Sequence, residues 1–358
     1  MPAYDGWDRE YQENKQDYLD VFDRFMSQMN YENNEDFERN FAERVGRKHC
    51  VSVASATDAL HFTLLAHGIG KDDEVLVTDF SWISSSACAS MVGATPVFCD
   101  IDLESYHISL DSIKRMYSDK VKAIIYPHLF GNMTDTTEIQ QFCKDNNILF
   151  IEDAAQSLGS SLHGVRAGTI GDCSVYSFNS NKVIAGINGG GVVLTDDEEI
   201  SRRVKVIRRH GKDKDFSMLG FNSRMYVLNA EIINLRLRHA ERNQERRQQI
   251  AQKYNTAFGD LSIVTQQMSN GLNHNYHKYV VRFNDKETRK RVKTALNASI
   301  HYETPLSSNT MYDSLTSRRD ACTASKTASN TVLSLPVHAY LTDNEVNDII
   351  NVVKENLW

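Results

Sequence analysis

The sequence predicts an α/β fold, in which a doubly wound, mostly parallel sheet is followed by a smaller α+β part. Short aliphatic and β-branched runs alternate with helical patterns through the first 155 of the 358 residues. Each run is apolar on both faces, as in a parallel strand that is covered by helices on both sides. Five β-α units of this kind indicate a doubly wound sheet, because a helix is the usual crossover between parallel strands.

The predicted elements follow one another in a regular order. Apolar residues recur at helical spacing over 8–29, and a second helix fits 36–45. The strands of the alternating part are predicted at 49–55, 74–79, 95–100, 121–128 and 148–153. The helices between them are predicted at 58–66, 84–91, 110–117 and 136–146. Two more strands are predicted at 173–178 and 190–196.

After these strands the pattern changes. A highly charged helical stretch runs from 226 to 258, and isolated strands and helices lie beyond it. The strands are predicted at 277–283 and 299–304, and the helices at 285–297 and 343–356. We therefore expect a large α/β domain over 1–245, which includes the N-terminal helices, and a small α+β domain over 246–358.

Composition argues against several classes of protein. With 40 basic and 47 acidic residues and a net charge of −7, the chain lacks the basic excess that is usual in nucleic-acid binders. No apolar run approaches the ~18 residues that span a bilayer, and residues 1–15 lack the apolar segment of a secretion signal. The six cysteines lie far apart without a C-x-x-C pair. These features predict a cytoplasmic protein with reduced thiols, no metal site and no nucleic-acid or membrane partner.

Ligands of open parallel sheets bind beyond the carboxyl ends of the strands, and the first candidate there is Ser-Ala-Thr-Asp at 55–58. This segment connects a strand to a helix, where backbone N–H groups and hydroxyls can bind a phosphate. An ordinary N-cap is the alternative, since serine, threonine and aspartate are good caps. The segment matches neither G-x-G-x-x-G nor a P-loop, and the glycine-rich stretch 185–191 leads into a strand. NAD and ATP are therefore disfavoured.

Two further candidates are charged side chains close to strand ends. Asp153 ends the strand 148–153, although a helix cap or a buried ion pair would also explain it. Lys182 lies five residues after Ser177 and precedes a glycine cluster. A desolvated lysine can lose its proton and form a Schiff base with an aldehyde, whereas most lysines are only solvated charges. A phosphate site, an acid for a pyridine nitrogen and an amine for an aldehyde are together what pyridoxal phosphate requires.

Blocks along most of the chain resemble one family. The matching stretches lie at 37–60, 95–102, 126–135, 151–160, 171–182, 208–213, 220–225, 300–306 and 333–346. The most specific of them are EDAAQSLG at 152–159 and SFNSNK at 177–182. On these motifs the chain resembles the DegT/DnrJ/EryC1/StrS family of pyridoxal-phosphate-dependent sugar aminotransferases. The resemblance implies the type I aminotransferase fold and pyridoxal 5'-phosphate as the cofactor.

The resemblance also implies roles for side chains near the cofactor ring. Lys182 would form the Schiff base and afterwards act as acid and base in the 1,3-proton shift. Asp153 would pair with the pyridinium nitrogen, and Gln156 would lie near the ring oxygen. Trp82 would stack on the ring, for which the alternative is an ordinary core aromatic.

The phosphate site and the assembly are implied in the same way. Backbone N–H groups of Ala56 and Thr57, together with the Ser177 hydroxyl, would hold the phosphate. Asn222 matches an asparagine that family members supply from the neighbouring subunit, so a homodimer with shared active sites is implied. Without the resemblance, Asn222 would be interpreted as a turn residue.

The implied reaction transfers an amino group from L-glutamate to a nucleotide-linked keto-deoxysugar. A sugar dehydratase of the same family is one alternative, which Lys182 disfavours because those enzymes carry histidine there. A cofactor-binding regulatory protein without catalysis is the other. Departures from the family pattern lie on the substrate side, since Ile187-Asn188 replaces the common Gly-Glu and 306–312 lacks the common His-Leu-Gln. The nucleotide, the sugar and the aminated carbon (3 or 4) are left open.

Overall fold

The structure is a computed structural model that describes residues 6–28, 34–216 and 218–358. Its helices are α1 (Trp7–Glu13), α2 (Lys15–Gln28), α3 (Glu35–Val45), α4 (Ala56–Ala66), α5 (Ser84–Met91), α6 (Leu110–Met116), α7 (Thr137–Asp145), α8 (Glu198–Ile207), α9 (Val227–Leu237), α10 (Ala240–Phe258), α11 (Lys286–Leu296), α12 (Thr323–Thr331) and α13 (Asp343–Glu355). Within the described ranges, none of these helices is both long enough and apolar enough to cross a membrane.

The strands are short, as is usual in such sheets. They are β1 (His49–Val53), β2 (Glu74–Thr78), β3 (Thr95–Cys99), β4 (Val121–Pro127), β5 (Leu149–Asp153), β6 (Ser161–Leu162), β7 (Val165–Arg166), β8 (Cys173–Ser177), β9 (Gly191–Thr195), β10 (Val264–Thr265), β11 (Leu272–Asn273), β12 (Tyr279–Arg282), β13 (Arg318–Arg319) and β14 (Val332–Leu335). Single 3-10 turns lie at Leu129–Gly131, Leu306–Ser308 and Thr310–Asp313.

Two predicted helical stretches are interrupted. The helix predicted over 8–29 is α1 and α2, and its predicted end at Met29 lies outside the described residues. At the junction, the Asn14 side-chain amide donates to the Glu10 carbonyl at 2.8 Å, and such local bonds compete with the helical ladder. The charged stretch predicted from 226 to 258 is α9 and α10, which are separated by two residues.

Eight strands form the main sheet, in the order β1-β9-β8-β5-β4-β2-β3-β13. Neighbours in this sheet are parallel except at β9, which is antiparallel to both β1 and β8. The prediction of a mostly parallel central sheet is therefore confirmed. The edge strand β13 comes from the C-terminal part of the chain, and its two residues are too few to produce a recognisable sequence pattern.

Helices cover both faces of the main sheet, as the apolar runs predict. In β2, Val75 and Val77 pack into the same core as α4, whereas Leu76 packs into a core on the opposite face. Helix α4 is itself apolar around its circumference, and its Leu60 and Phe62 are at most 1% exposed. Such a helix belongs in an interior. The packed core therefore holds the start of α4 at the strand ends.

The C-terminal part has its own antiparallel sheet, in the order β10-β12-β14. Its apolar core includes residues of α10, α11 and α13, so its elements are of the predicted α+β kind. The strand predicted at 299–304 is wrong, because only Ser299 makes a bridge, to Ser334. The chain then leaves this sheet, and Tyr302 contacts the main domain instead. The division predicted after residue 245 falls inside α10 and stays a prediction.

Candidate active site

Three elements bring the predicted phosphate-binding groups together at the strand ends. Gly191 of β9 lies opposite Val53 of β1 and opposite Ser177 of β8. A Cβ atom on Gly191 would lie 2.5 Å from the Ala56 nitrogen, so a residue without a side chain is needed for this close approach. Ser177 and the first residue of α4 are therefore close neighbours across β9.

The first turn of α4 presents N–H groups at this point. The Ser55 hydroxyl oxygen accepts a hydrogen bond from the Asp58 N–H at 3.1 Å, which makes Ser55 the N-cap. Ala56 and Thr57 follow the cap directly, and N–H groups in the first turn of a helix have no intrahelical acceptor. The helix dipole adds a favourable potential for an anion there. The segment thus serves as a capped helix start and is also suited to a phosphate.

Asp153 and Lys182 influence each other's charge but do not form an ion pair. Burial lowers the pKa of Lys182 to about 8, and the Asp153 carboxylate opposes this shift. Burial raises the pKa of Asp153, while the Ala155 N–H, 3.1 Å from Oδ1, and the charge of Lys182 act in the opposite direction. A lysine with a lowered pKa is partly neutral near pH 8 and can act as a nucleophile.

Gln156 is held by two hydrogen bonds that orient its side-chain amide. Its Oε1 accepts from the Phe130 N–H at 2.8 Å, and its Nε2 donates to the Tyr302 hydroxyl at 2.7 Å. Tyr302 comes from the segment that leaves the small sheet, and its ring packs near Phe80 and Phe130. The contact therefore joins the C-terminal part of the chain to the predicted cofactor site.

A buried pair supports the strand that carries Asp153. Nε2 of His128 lies 2.8 Å from Oε1 of Glu152, and both side chains are fully buried. Burial by itself would raise the pKa of Glu152, but hydrogen bonds from His128 and from the N–H groups of Gly168 and Gly171 hold it below its usual value. This network fixes the end of β5 against the turn that follows β7.

Two predicted site residues lie on the surface of the single chain. Trp82 lies between β2 and α5, and its side chain is 62% exposed. Asn222 is exposed as well, but its neighbour Ser223 is anchored beside α4. The Ser223 hydroxyl donates to Asp58 Oδ2 at 2.7 Å and accepts from the Ala54 N–H at 3.1 Å. Stacking by Trp82 and donation of Asn222 to a second subunit stay predictions.

A family model described as the DegT/DnrJ/EryC1/StrS aminotransferase family matches residues 9–354. The chain belongs to this family. The predicted family, the type I aminotransferase fold and the assignment as an aminotransferase are confirmed by this match and by the relatives below. Pyridoxal 5'-phosphate, the predicted cofactor, is confirmed with them.

Several named relatives align with this family member over most of both chains. The dTDP-3-amino-3,6-dideoxy-alpha-D-galactopyranose transaminase of Aneurinibacillus thermoaerophilus is 32% identical over 323 residues, which are 89% of this chain and 88% of the relative. A "pleiotropic regulatory protein" of Geobacillus stearothermophilus is 30% identical over 326 residues, 89% and 87% of the two chains. The crystal structure of a DegT/DnrJ/EryC1/StrS aminotransferase from Brucella abortus superposes with a TM-score of 0.92, at 26% identity and 99% coverage of both chains.

The residues of this DegT/DnrJ/EryC1/StrS protein fit pyridoxal phosphate. The close approach at Gly191 brings Ser177 to the start of α4, which suits a phosphate. Asp153 is a carboxylate with a raised pKa and no cation in ion-pair contact among the described residues, and a protonated ring nitrogen would supply that cation. Lys182 supplies the amine that the cofactor's aldehyde needs.

Sequence reasoning missed three residues that shape this site: His128, Glu152 and Tyr302. All three lie inside the blocks at 126–135, 151–160 and 300–306 that carry the family resemblance. Their presence as polar residues in those blocks was therefore the sequence feature that could have marked them as candidates. Their partners could not be found, because each contact joins segments that are far apart along the chain.

Proposed function

We propose that the protein transfers the amino group of L-glutamate to the keto group of a nucleotide-linked deoxysugar. The observation that carries this proposal is Lys182, whose amine has a pKa lowered to about 8 and lies near Asp153 at the end of β5. An amine with this pKa is partly neutral near physiological pH and can attack a carbonyl in that form. A solvated lysine would remain protonated there.

Each side chain of the site has a definite task in this reaction. Pyridoxal phosphate, when bound, supplies an aldehyde and a ring that accepts electrons. Asp153 keeps a proton on the ring nitrogen, because its carboxylate is the neighbouring anion. Lys182 Nζ removes a proton from one carbon of the bound amino compound and delivers it to another. Ala56, Thr57 and Ser177 would bind the phosphate, and the oriented amide of Gln156 would lie near the ring oxygen.

A regulatory protein that binds the cofactor without turnover is the second candidate. The Geobacillus relative named a pleiotropic regulatory protein favours it. The two candidates differ in one observable, the release of an aminated product. A sugar dehydratase is less well supported, since Lys182 stands where those family members carry histidine.

The homodimer is part of the proposal, and exposed apolar side chains near Asn222 support it. Leu219 is 93% exposed, Tyr226 73% and Phe216 63%. Large apolar groups gathered in one region are typical of protein–protein contacts. The hydrogen bond of Ser223 to Asp58 supports a position of this surface near the start of α4, the proposed phosphate site of its own subunit. A partner's Asn222 could thus enter that site across a two-fold axis.

Mixing two inactive variants tests the shared site. The Lys182→Ala and Asn222→Ala proteins are mixed and refolded together, or allowed to exchange subunits, so that mixed dimers form. If Asn222 serves the partner, half of the dimers are mixed and each carries one intact site, so activity returns to about a quarter of the wild-type value. If Asn222 serves its own subunit, no intact site forms and no activity returns.

We also propose a cytoplasmic location, without a nucleic-acid or membrane partner, and the division into 1–245 and 246–358. The net charge of −7 supports the first proposal, as do the six cysteines, each of which is free and buried. The separate apolar core of the C-terminal part supports the second.

Turnover with a panel of nucleotide keto-sugars tests the proposed reaction. The holoenzyme is incubated with L-glutamate and each sugar, and the product is identified by mass. An amino-deoxysugar is expected with at least one sugar, together with an equal amount of 2-oxoglutarate. Lys182→Ala should abolish the product, whereas Lys120→Ala, a change at an exposed lysine, should not. Conversion of the cofactor by glutamate without any aminated sugar would contradict the acceptor and favour the regulatory candidate.

A further inference from the structure

A cavity of about 140 Å³ adjoins Lys182. Its walls come from α1, the loop that contains Lys182, α9, α10 and the end of β14. Of the residues predicted to bind the cofactor, only Lys182 lines it. We call it the basic cavity, after the lining residues Lys182, Arg236, Arg247, His277, Lys278 and His338.

The charged side chains of this lining are mainly cationic. Within the described part of the chain, two lysines and two arginines line the cavity against one carboxylate, Glu10. Glu10 lies 3.1 Å from Arg236 and is already neutralised by it. The charged groups that remain are therefore positive, in a protein whose net charge is −7. Such a local excess attracts an anion.

Arg247 is the clearest case of a cation without a carboxylate. Its Nη1 donates to the carbonyl oxygens of Tyr276 at 3.1 Å and Val337 at 2.5 Å. Among the described residues it has no acidic partner, and burial lowers its pKa to about 10 with no carboxylate to oppose the shift. A desolvated guanidinium is costly unless it is paired. A bound carboxylate would provide that pair.

The cations of the cavity converge on one imidazole. Burial lowers the pKa of His277 well below its usual value. The positive charges of Lys278, Lys182 and Arg247 lower it further. These three residues and His277 line the same cavity. His277 stays neutral there and can form hydrogen bonds without adding charge.

We propose that the basic cavity binds the dicarboxylate amino donor, L-glutamate, with Arg247 and Lys278 contacting its carboxylates. The assignment rests on the proposed aminotransferase function and names the donor's binding site. The position next to Lys182 suits an amino donor. The donor's amine replaces the lysine amine on the cofactor, so the donor must bind close to Lys182. Both carboxylates would then lie in the positive region, and 2-oxoglutarate would occupy the same place after transfer.

The size of the cavity favours a small acid over the nucleotide sugar. A closed cavity of roughly 150 Å³ holds a ring of six carbon atoms. The basic cavity, at about 140 Å³, is in the same range, and a nucleoside diphosphate with its sugar would have to extend beyond it. The diphosphate is the other anion in this reaction, so the experiment must separate the two.

Binding of glutarate to the holoenzyme tests the proposal without turnover. Glutarate has both carboxylates of the donor but no amine or keto group, and its affinity is measured by calorimetry beside that of butyrate and of UDP, dTDP and GDP. The variants are Lys278→Gln and Arg247→Gln, with Lys278→Arg and Arg247→Lys as charge-preserving partners. Lys290→Gln, at an exposed lysine of the small domain, is the matched control.

Glutarate should bind more tightly than butyrate, and each glutamine variant should weaken glutarate by about tenfold or more. The charge-preserving variants should retain most of the affinity, and the control and nucleotide binding should not change. Arg247 also donates hydrogen bonds to two backbone carbonyls, so Arg247→Gln can fail to fold. In that case the effect of Lys278→Gln on glutarate affinity tests the proposal. No difference between glutarate and butyrate, or loss of nucleotide affinity instead of glutarate affinity, would overturn the proposal. Loss of glutarate affinity in an enzyme that aminates no sugar would contradict only the proposed acceptor.

Discussion

The two sides of Lys182 differ in charge and in origin. The cofactor side has the Asp153 carboxylate, the N–H groups of Ala56 and Thr57 and the Ser177 hydroxyl, and all of these lie at strand ends or at the start of α4. The charged groups of the basic cavity are mainly cations, and its walls come from α1, the loop that contains Lys182, α9, α10 and the C-terminal part. One side suits a protonated ring and its phosphate, and the other suits a free acid. Lys182 belongs to both sides, since its charge interacts with Asp153 and the residue lines the basic cavity.

The largest effect is expected from a substitution that removes the group shared by the two sides. Lys182→Ala should lower turnover by at least about 10⁴-fold, since the nucleophile and the proton carrier are lost together. Turnover and cofactor absorbance are measured on the same sample. Lys120→Ala should behave as wild type in both. Substantial turnover in Lys182→Ala would show that Lys182 is not the reacting group shared by the two sides.

The next effect concerns the cofactor side alone. Asp153→Asn should lower turnover by about 10²- to 10³-fold, because a neutral amide stabilises the developing charge far less than a carboxylate does. Glutarate affinity should not change, since Asp153 does not line the basic cavity. Asp153→Glu keeps the charge and should recover part of the activity. Equal loss of turnover and of glutarate binding would mean that the two sides are not separate.

A smaller effect is expected at the contact between the C-terminal part and the cofactor side. Tyr302→Phe removes the acceptor of the Gln156 amide, and one neutral hydrogen bond contributes about 0.5–1.5 kcal/mol. Turnover should fall about two- to tenfold, and the absorbance spectrum of the bound cofactor should titrate at a shifted pH. Tyr117→Phe, whose ring packs on Phe142, is the control. An unchanged titration with reduced turnover would indicate a role other than orienting Gln156.

The smallest effect is a shift in pH dependence. The amine of Lys182 must be neutral to bind the cofactor's aldehyde, so the rate at which apoenzyme takes up the cofactor should rise with pH and level off above a midpoint near its pKa of about 8. The Asp153 carboxylate raises that pKa, so Asp153→Asn should move the midpoint lower. Stopped-flow absorbance over pH 6–10 measures both. A midpoint at or above pH 10 would show that Lys182 is not desolvated.

The cofactor side could be predicted from sequence because its residues follow strands directly. Asp153 ends β5, and Ser177 ends β8, so the strand pattern alone places them at one edge of the sheet. The partners of Gln156 could not be found in this way. Tyr302 belongs to a stretch whose apolar pattern predicts a strand, but a bond to a residue 146 positions away decides its place.

The basic cavity shows the same limit more strongly. Arg247 lies on α10, which contains many charged residues. From the sequence alone, each cation of such a helix would be interpreted as exposed to solvent. Only the packing of α10 against the ends of the small sheet directs this one to the Tyr276 and Val337 carbonyls. Lys278 precedes β12 and has no motif around it. Contacts between segments that are distant in sequence created this site, and no local pattern records them.

The most direct test of the account is to find which lysine carries the cofactor. The holoenzyme is reduced with borohydride, digested, and analysed by peptide mass. We expect the reduced cofactor to be attached to the peptide that contains Lys182, and Lys278, the other lysine of the basic cavity, to be unmodified. Attachment at Lys278, or no attached cofactor at all, would contradict it.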